Sequence, residues 1–202
     1  MAILDKKTSQ LSNHLEQSKG VHVFYYSCEL ESYIQNAVSY ILSGIEQEDI
    51  IIMIENERIY PLIYKRLVLK LTKEQLGKIY FFNNLKFYWL NNNFYPQTIL
   101  SYFSEIVNPY LEKNKSIRTW GHVEWGDPKD FETTLEEFEN EVNKIVSTMK
   151  IITICAYNAE RVSDTLKEKL MKHHAFFMTD NDINPITENT SSPNCDNKKM
   201  IL

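Results

Sequence analysis

Glycine is scarce in this chain. Five occur among 202 residues: Gly20, Gly44, Gly77, Gly121 and Gly126. Phosphate cradling by a strand–turn–helix unit requires a glycine-rich turn whose backbone N–H groups face the anion. No Gly-x-x-x-x-Gly-Lys-Ser/Thr and no Gly-x-Gly-x-x-Gly run is present. The turn after the first predicted strand, Ser27-Cys28-Glu29-Leu30, offers an acid where a phosphate would be repelled. These absences exclude a P-loop enzyme and a Rossmann dinucleotide site. The Gly-x-Ser-x-Gly elbow of serine hydrolases is also missing.

Cysteine is equally sparse. The three residues Cys28, Cys155 and Cys195 are widely spaced and include no Cys-x-x-Cys pair, which argues against a thiolate zinc cluster. Cys155 lies in an apolar run and reads as a small core residue. Its reactive alternative, a thiolate paired with His173 or His174, lacks the partly exposed, electropositive setting that a thiolate needs. Spacing also decides against metal ligation by His22, His122, Glu124, His173 and His174. No histidine pair stands at i and i+4, and the adjacent His173 and His174 point apart on a helix, so no metal site is expected. No cofactor is expected either.

No apolar run approaches the ~18 residues of a membrane span. Residues 1–20 are polar and lack a signal-peptide core, so a cytoplasmic location is expected. The formal net charge is −5 and the basic residues are scattered. The electrostatic footprint of a nucleic-acid binder is therefore missing.

What is present is an ordinary globular composition, 43% hydrophobic and 24% charged, in a length that suits one domain and a tail. Residues 21–26 (Val-His-Val-Phe-Tyr-Tyr) read as a strand. Leu30, Tyr33, Ile34, Ala37, Val38, Ile41, Leu42 and Ile45 form a helical stripe, with Gly44 placed to cap its end. The short apolar run 49–54 suits a buried parallel strand. Further helices are expected over 59–69 and 97–111, after 128, and around Val162, Leu166 and Leu170, with Pro109 ending or kinking the second. Strands are expected over 78–82, 117–125, 150–157 and 175–178. Such alternation implies an α/β fold, a mainly parallel sheet with helices on both faces. Residues 1–20 form an extension with a short helix over 8–18, residues 21–178 the domain, and 179–202 a flexible polar tail.

The strand 117–125 is the most informative segment, since Arg118, His122 and Glu124 stand among Trp120, Val123 and Trp125. If it is central, some of those polar groups are buried, which is costly unless they are paired or meet a ligand. Glu139 and Asn143, at i and i+4 on the next helix, have two readings. They form a solvated helix edge, or Glu139 reaches the sheet and joins Arg118 in a guanidinium–carboxylate fork. Tyr25, Tyr26, Tyr88, Trp89, Phe94, Tyr95, Trp120, Trp125 and Tyr157 gather at strand ends and in the Asn-rich loop. In open α/β sheets ligands bind outside the carboxyl ends of the strands, so an aromatic-lined pocket for a small organic ligand is expected there.

Taken in order, these residues resemble the MEDS domain, the sensory domain of methanogens, methylotrophs and the dichloromethane regulator DcmR. The resemblance runs over 21–185 through His22, Phe24-Tyr25-Tyr26, Gly44, Phe87-Tyr88, Phe94-Tyr95-Pro96, Arg118…Gly121…Trp125, Phe138-Glu139…Asn143, Cys155-Ala156-Tyr157 and His173. The chain departs from the family pattern at His122, where a Glu is usual, at Asn158, where an Asp is usual, and at His174, where Pro is common. The resemblance implies a RecA/KaiC-type three-layer core without its phosphate loop, and a sensory rather than an enzymatic role. It further implies a small hydrocarbon-like ligand and output through a signalling partner: a histidine kinase, an anti-sigma-type kinase or a transcription regulator. Ligand contacts are expected from His22, Tyr25, Arg118, His122, Trp125 and Tyr157, with Arg118, Glu139 and Asn143 as a structural network. Rival readings are a protein-interaction module without a ligand, a degenerate nucleotide-binding domain, and an enzyme using His122 and Glu124 as acid and base. A homodimer is left open.

Overall fold

The structure, a computed structural model, describes residues 20–126 and 128–187. The helix expected over 8–18 and the part of the expected tail from 188 onward lie outside the described residues. Seven strands run β1 (Val21–Ser27), β2 (Ile50–Glu55), β3 (Ile79–Asn83), β4 (Ile117–His122), β5 (Ile152–Asn158), β6 (Phe176–Thr179) and β7 (Ile183–Pro185). Between them lie α1 (Leu30–Glu46), α2 (Tyr60–Leu67), α3 (Lys73–Leu76), α4 (Asn84–Tyr88), α5 (Pro96–Leu111), α6 (Pro128–Met149) and α7 (Asp164–Met171). They form one sheet in the order β3-β2-β4-β5-β1-β6-β7. Every pairing is parallel except β6 with β7. This is the expected α/β architecture.

The central strands are buried on both faces, as near-continuous apolar runs require. Side-chain parity sorts their residues into two cores. Phe24, Tyr26, Ile52, Ile54, Cys155 and Tyr157 face α4, α5, α6 and α7. Val23, Tyr25, Ile51, Met53, Trp120 and Ile154 face α1 and α2. Local signals set several helix ends. Thr72 and Gln75 form a reciprocal capping box on α3, and Ser163 Oγ accepts the Leu166 N–H at the start of α7. Pro96 opens α5, where its missing N–H has no cost.

Four expectations are corrected. Gly44 does not cap α1; it lies inside the helix. A Cβ there would sit 2.6 Å from Ile51 Cδ1 and 3.0 Å from Arg118 Cδ, so its role is close approach. Pro109 does not end α5, which continues to Leu111. The strand expected over 117–125 leaves the ladder after His122, with a last bond from Val123 N–H to the Ala156 carbonyl at 3.0 Å. The domain does not stop at 178: Thr179 belongs to β6, and β7 pairs back onto it, so residues 179–185 are part of the sheet rather than tail.

Candidate functional site

Because residues of a strand alternate between faces, the six residues expected to line one pocket are divided. His22 and Tyr157 project toward α6, and Trp125 packs there against the Tyr157 ring at 5.3 Å. Tyr25, Arg118 and His122 project toward α1. The sheet stands between the two sets, and no single ligand touches all six.

Arg118, the second residue of β4, lies near the amino ends of the strands. Its Nε–H donates to Asp49 and its Nη2–H to Gln47 Oε1 at 2.6 Å. The fork expected with Glu139 is therefore not formed, since Glu139 is on the opposite face. Asn143 joins neither charged group; its backbone carbonyl accepts the Ser147 hydroxyl at 2.9 Å. The guanidinium is 1% exposed, so Asp49 is its obligatory counter-ion.

At the carboxyl ends on the α1 side, Glu55 is wholly buried and collects donors. Tyr33 O–H donates to it, His122 Nδ1–H donates at 2.6 Å, and Trp120 Nε1–H in turn donates to the Tyr33 oxygen at 2.8 Å. Burial alone would lower the His122 pKa, but the Glu55 carboxylate outweighs it and holds the imidazole above its ordinary value. Burial beside Glu55 pushes Tyr33 far up, so it stays a phenol. Beside this group, Asp180 Oδ1 accepts from Tyr25 O–H at 2.7 Å and Ser27 O–H at 2.9 Å, and Oδ2 accepts the Cys28 N–H at 3.0 Å. The Ser27–Glu29 turn leads into α1, the place a phosphate loop would occupy, and there the chain supplies its own anion. Glu124, expected in one reading as an acid or base, is instead paired with Arg161, whose guanidinium stacks 4.3 Å over Trp125.

On the α6 side a second buried polar group forms. His22 Nε2 lies 3.2 Å from Glu139 Oε2 and 3.3 Å from Cys155 Sγ, and His174 Nε2 lies 3.5 Å from the same Glu139 oxygen. The two imidazoles stack at 3.8 Å. Tyr157 O–H donates to Glu139 Oε1. Burial would raise the Glu139 pKa; bonding to His22 and the nearby imidazoles overcomes this and keeps it a carboxylate. Burial pushes the Cys155 thiol well up and brings His174 down to about 3, so His174 is neutral.

Next to Cys155 the core is not filled. A cavity of about 30 Å³ lies between the sheet and helices α5 and α6. Ile54, Tyr88, Ile99, Phe103, Phe138 and Val142 wall it, and Gly121, Thr119, Thr153 and Cys155 form its floor. Such a volume admits one or two waters or a molecule of a few heavy atoms. A Cβ at Gly121 would stand 2.7 Å from the Tyr88 hydroxyl, so glycine is what lets that hydroxyl lie over the floor. The cavity is at mid-sheet rather than at the strand ends, where the pocket was expected.

Residues 21–175 match the family described as MEDS, the MEthanogen/methylotroph, DcmR Sensory domain, and the chain belongs to that family. No curated protein matches. Among solved structures, the chain is similar to a phosphate-loop-class neighbour described as an ATPase domain, with a TM-score of 0.55 at 11% identity over 80% of this chain and 69% of that one. It is also similar to a KaiC-like protein from the hyperthermophilic archaeon Pyrococcus horikoshii OT3, with a TM-score of 0.51 at 15% identity over 79% of this chain and 70% of that one. At such identities the likeness shows the fold alone, and that fold is RecA-like. Among the described residues, no helix is long and apolar enough to cross a membrane.

Glu55 and Asp180 were missed as site residues. Glu55 closes the apolar run 50–54, and a charge ending a continuous buried run is the signal that could have found it. Asp180 carried no signal, since it stands in a polar stretch read as tail.

Proposed function

We propose that this chain is a sensory domain that takes up a small, largely apolar molecule in the cavity between the sheet and helices α5 and α6. The observation that supports this reading is the cavity itself, an unfilled space inside an otherwise close-packed core. Its apolar walls select for hydrophobic content, while the Tyr88 hydroxyl, the Thr119–Thr153 pair and the Cys155 thiol give a few polar points for orientation. The molecule acts by differential affinity: a form of the domain that closes α5 and α6 around it gains population, and a signalling partner in the cytoplasm reads that form. No catalysis belongs to this reading, and the Asp180 carboxylate in the β1–α1 turn speaks against a retained nucleotide site.

The test uses xenon and n-butanol as probes with methyl-labelled protein. Saturable shifts of the Ile54, Ile99 and Val142 methyl signals are expected, and Val142→Phe, which fills the space, should remove the shifts at Ile54 and Ile99. A wild-type protein that responds to neither probe refutes the cavity as a site. That result would favour the second reading, an interaction module without a ligand. One feature speaks for it: Leu62, Val68 and Leu69 are exposed on and just after α2, which packs onto the edge strand β3 through the Tyr60–Phe81 stack at 4.0 Å.

A further inference from the structure

We propose that His22 Nε2, Glu139 Oε2, Cys155 Sγ and His174 Nε2 form a closed tetrahedral site for a divalent ion of the zinc class. The four residues come from β1, α6, β5 and the turn before β6, and their four donor atoms lie within 4.8 Å of one another. Each is buried.

The hydrogen bonds on the outer side of the cluster fix what faces inward. His22 Nδ1 lies 3.0 Å from the His173 carbonyl and His174 Nδ1 lies 2.7 Å from the Leu170 carbonyl. A carbonyl only accepts, so both rings carry their proton on Nδ1 and present a bare lone pair at Nε2. Tyr157 O–H engages Glu139 Oε1, which leaves Oε2 as the inward oxygen. Two imidazole lone pairs and a carboxylate oxygen thus converge with one weak donor among them, the Cys155 thiol. Glu139 Oε2 and His174 Nε2 have no hydrogen-bond partner, although both atoms are buried. Orphaned buried acceptors are costly. A single proton on His22 would answer Glu139 and still leave His174 Nε2 unpaired. A cation at the centre answers all four.

The spacing fits such an ion. Metal bonds of about 2.0–2.1 Å to nitrogen or oxygen and about 2.3 Å to sulfur put tetrahedral ligand atoms roughly 3.3–3.6 Å apart. Three of the observed edges are 3.2, 3.3 and 3.5 Å. A thiolate, two imidazoles and one carboxylate suit zinc, cobalt or iron; calcium and magnesium call for an all-oxygen shell of six or more. The carbonyls on Nδ1 and the Tyr157 hydroxyl on Glu139 are the outer-shell partners that orient such ligands. Four protein ligands leave no open position, so the site is structural or regulatory rather than catalytic. Binding expels the Cys155 thiol proton to solvent, and the thiolate takes its place on the ion. Tetrahedral angles are wider than the imidazole stack allows, so the ion swings one ring and with it the turn between α7 and β6. Cys155 also floors the cavity; the metal site does not depend on a molecule occupying that cavity.

The test is a titration of the full chain, freed of metal by a chelator and kept without oxygen, with Co²⁺ alone. One ion per chain is expected, with strong visible absorption of a tetrahedral centre and a thiolate-to-cobalt charge-transfer band in the near ultraviolet. Zn²⁺ should displace it. Cys155→Ser should lose the charge-transfer band. Tyr157→Phe, which keeps all four ligands, should bind roughly tenfold more weakly. A wild-type spectrum without the thiolate band overturns the proposal, because the ion then sits on other groups. Saturation well below one ion per chain, or a band that survives in Cys155→Ser, overturns it equally. The wild-type titration decides the matter even if a variant fails to fold.

Discussion

Asp180 Oδ2 accepts the backbone N–H of Cys28 at 3.0 Å, so a carboxylate of the chain itself fills the anion position at the head of α1. The same carboxylate holds the Tyr25 and Ser27 hydroxyls through Oδ1. A RecA-like sheet therefore keeps its shape here with a side chain at the turn where a triphosphate would be cradled.

Two outcomes are expected from that contact. ATP should show no saturable binding by calorimetry, since it would have to displace Asp180 and then meet Glu29. Asp180→Ala should strip acceptors from three donors and lower unfolding stability in urea by roughly 1.5–3 kcal/mol, the range for hydrogen bonds to a charged group. Micromolar ATP binding by the wild type would defeat this account of the turn.

Arg118 is expected to couple to Asp49 and not to Glu139. Arg118→Ala leaves Asp49 buried without its counter-ion and should cost about 3–5 kcal/mol. Replacing both partners, Arg118→Met with Asp49→Leu, should recover much of the loss, because a pair of apolar side chains carries no desolvation penalty. Double-mutant cycles measure this directly. A coupling energy with Asp49 close to zero, or a large one with Glu139, would show that the pairing is wrong.

The His122–Glu55 pair sets a pH dependence. The folded pKa of His122 lies above its ordinary value of 6.5. A group of this kind contributes stability that is fully present below the unfolded value and is lost as pH rises through the folded one. The groups facing His122 are Glu55, Glu124, Arg161 and Tyr33. Melting temperature should thus fall from about pH 6.5 upward in the wild type. It should fall less in His122→Gln, whose amide does not titrate. Parallel pH profiles for the two proteins would remove His122 as the source.

The order of elements was legible because alternating apolar runs and helical stripes carry it, and the missing glycines already pointed to a sheet without a phosphate loop. The site was less so. Arg118 and Glu139 both looked like buried partners, but the parity of β4 turns Arg118 to one face while α6 covers the other. His22, Glu139, Cys155 and His174 stand on four elements, so no local spacing announces them; only the parallel register of β1 against β5, which sets Phe24 beside Cys155, draws two of them together. β7 was hidden by composition, since Asn184 and Pro185 read as tail until Ile183 is seen buried against the sheet.

Gly121 and Tyr88 give the sharpest test of the cavity floor. A methyl at 121 would meet the Tyr88 hydroxyl at 2.7 Å, and that oxygen has Phe94 and Phe138 stacked around its ring, so it has little room to retreat. Gly121→Ala should therefore cost about 1–3 kcal/mol, as overpacking does. Removing the hydroxyl relieves the collision: in a Tyr88→Phe background the same substitution should cost at least ~1 kcal/mol less, a coupling of the size neighbouring residues show. The two costs follow from chemical denaturation of the four proteins in the cycle. Equal costs in both backgrounds would mean that Gly121 is needed for something other than the space beneath Tyr88.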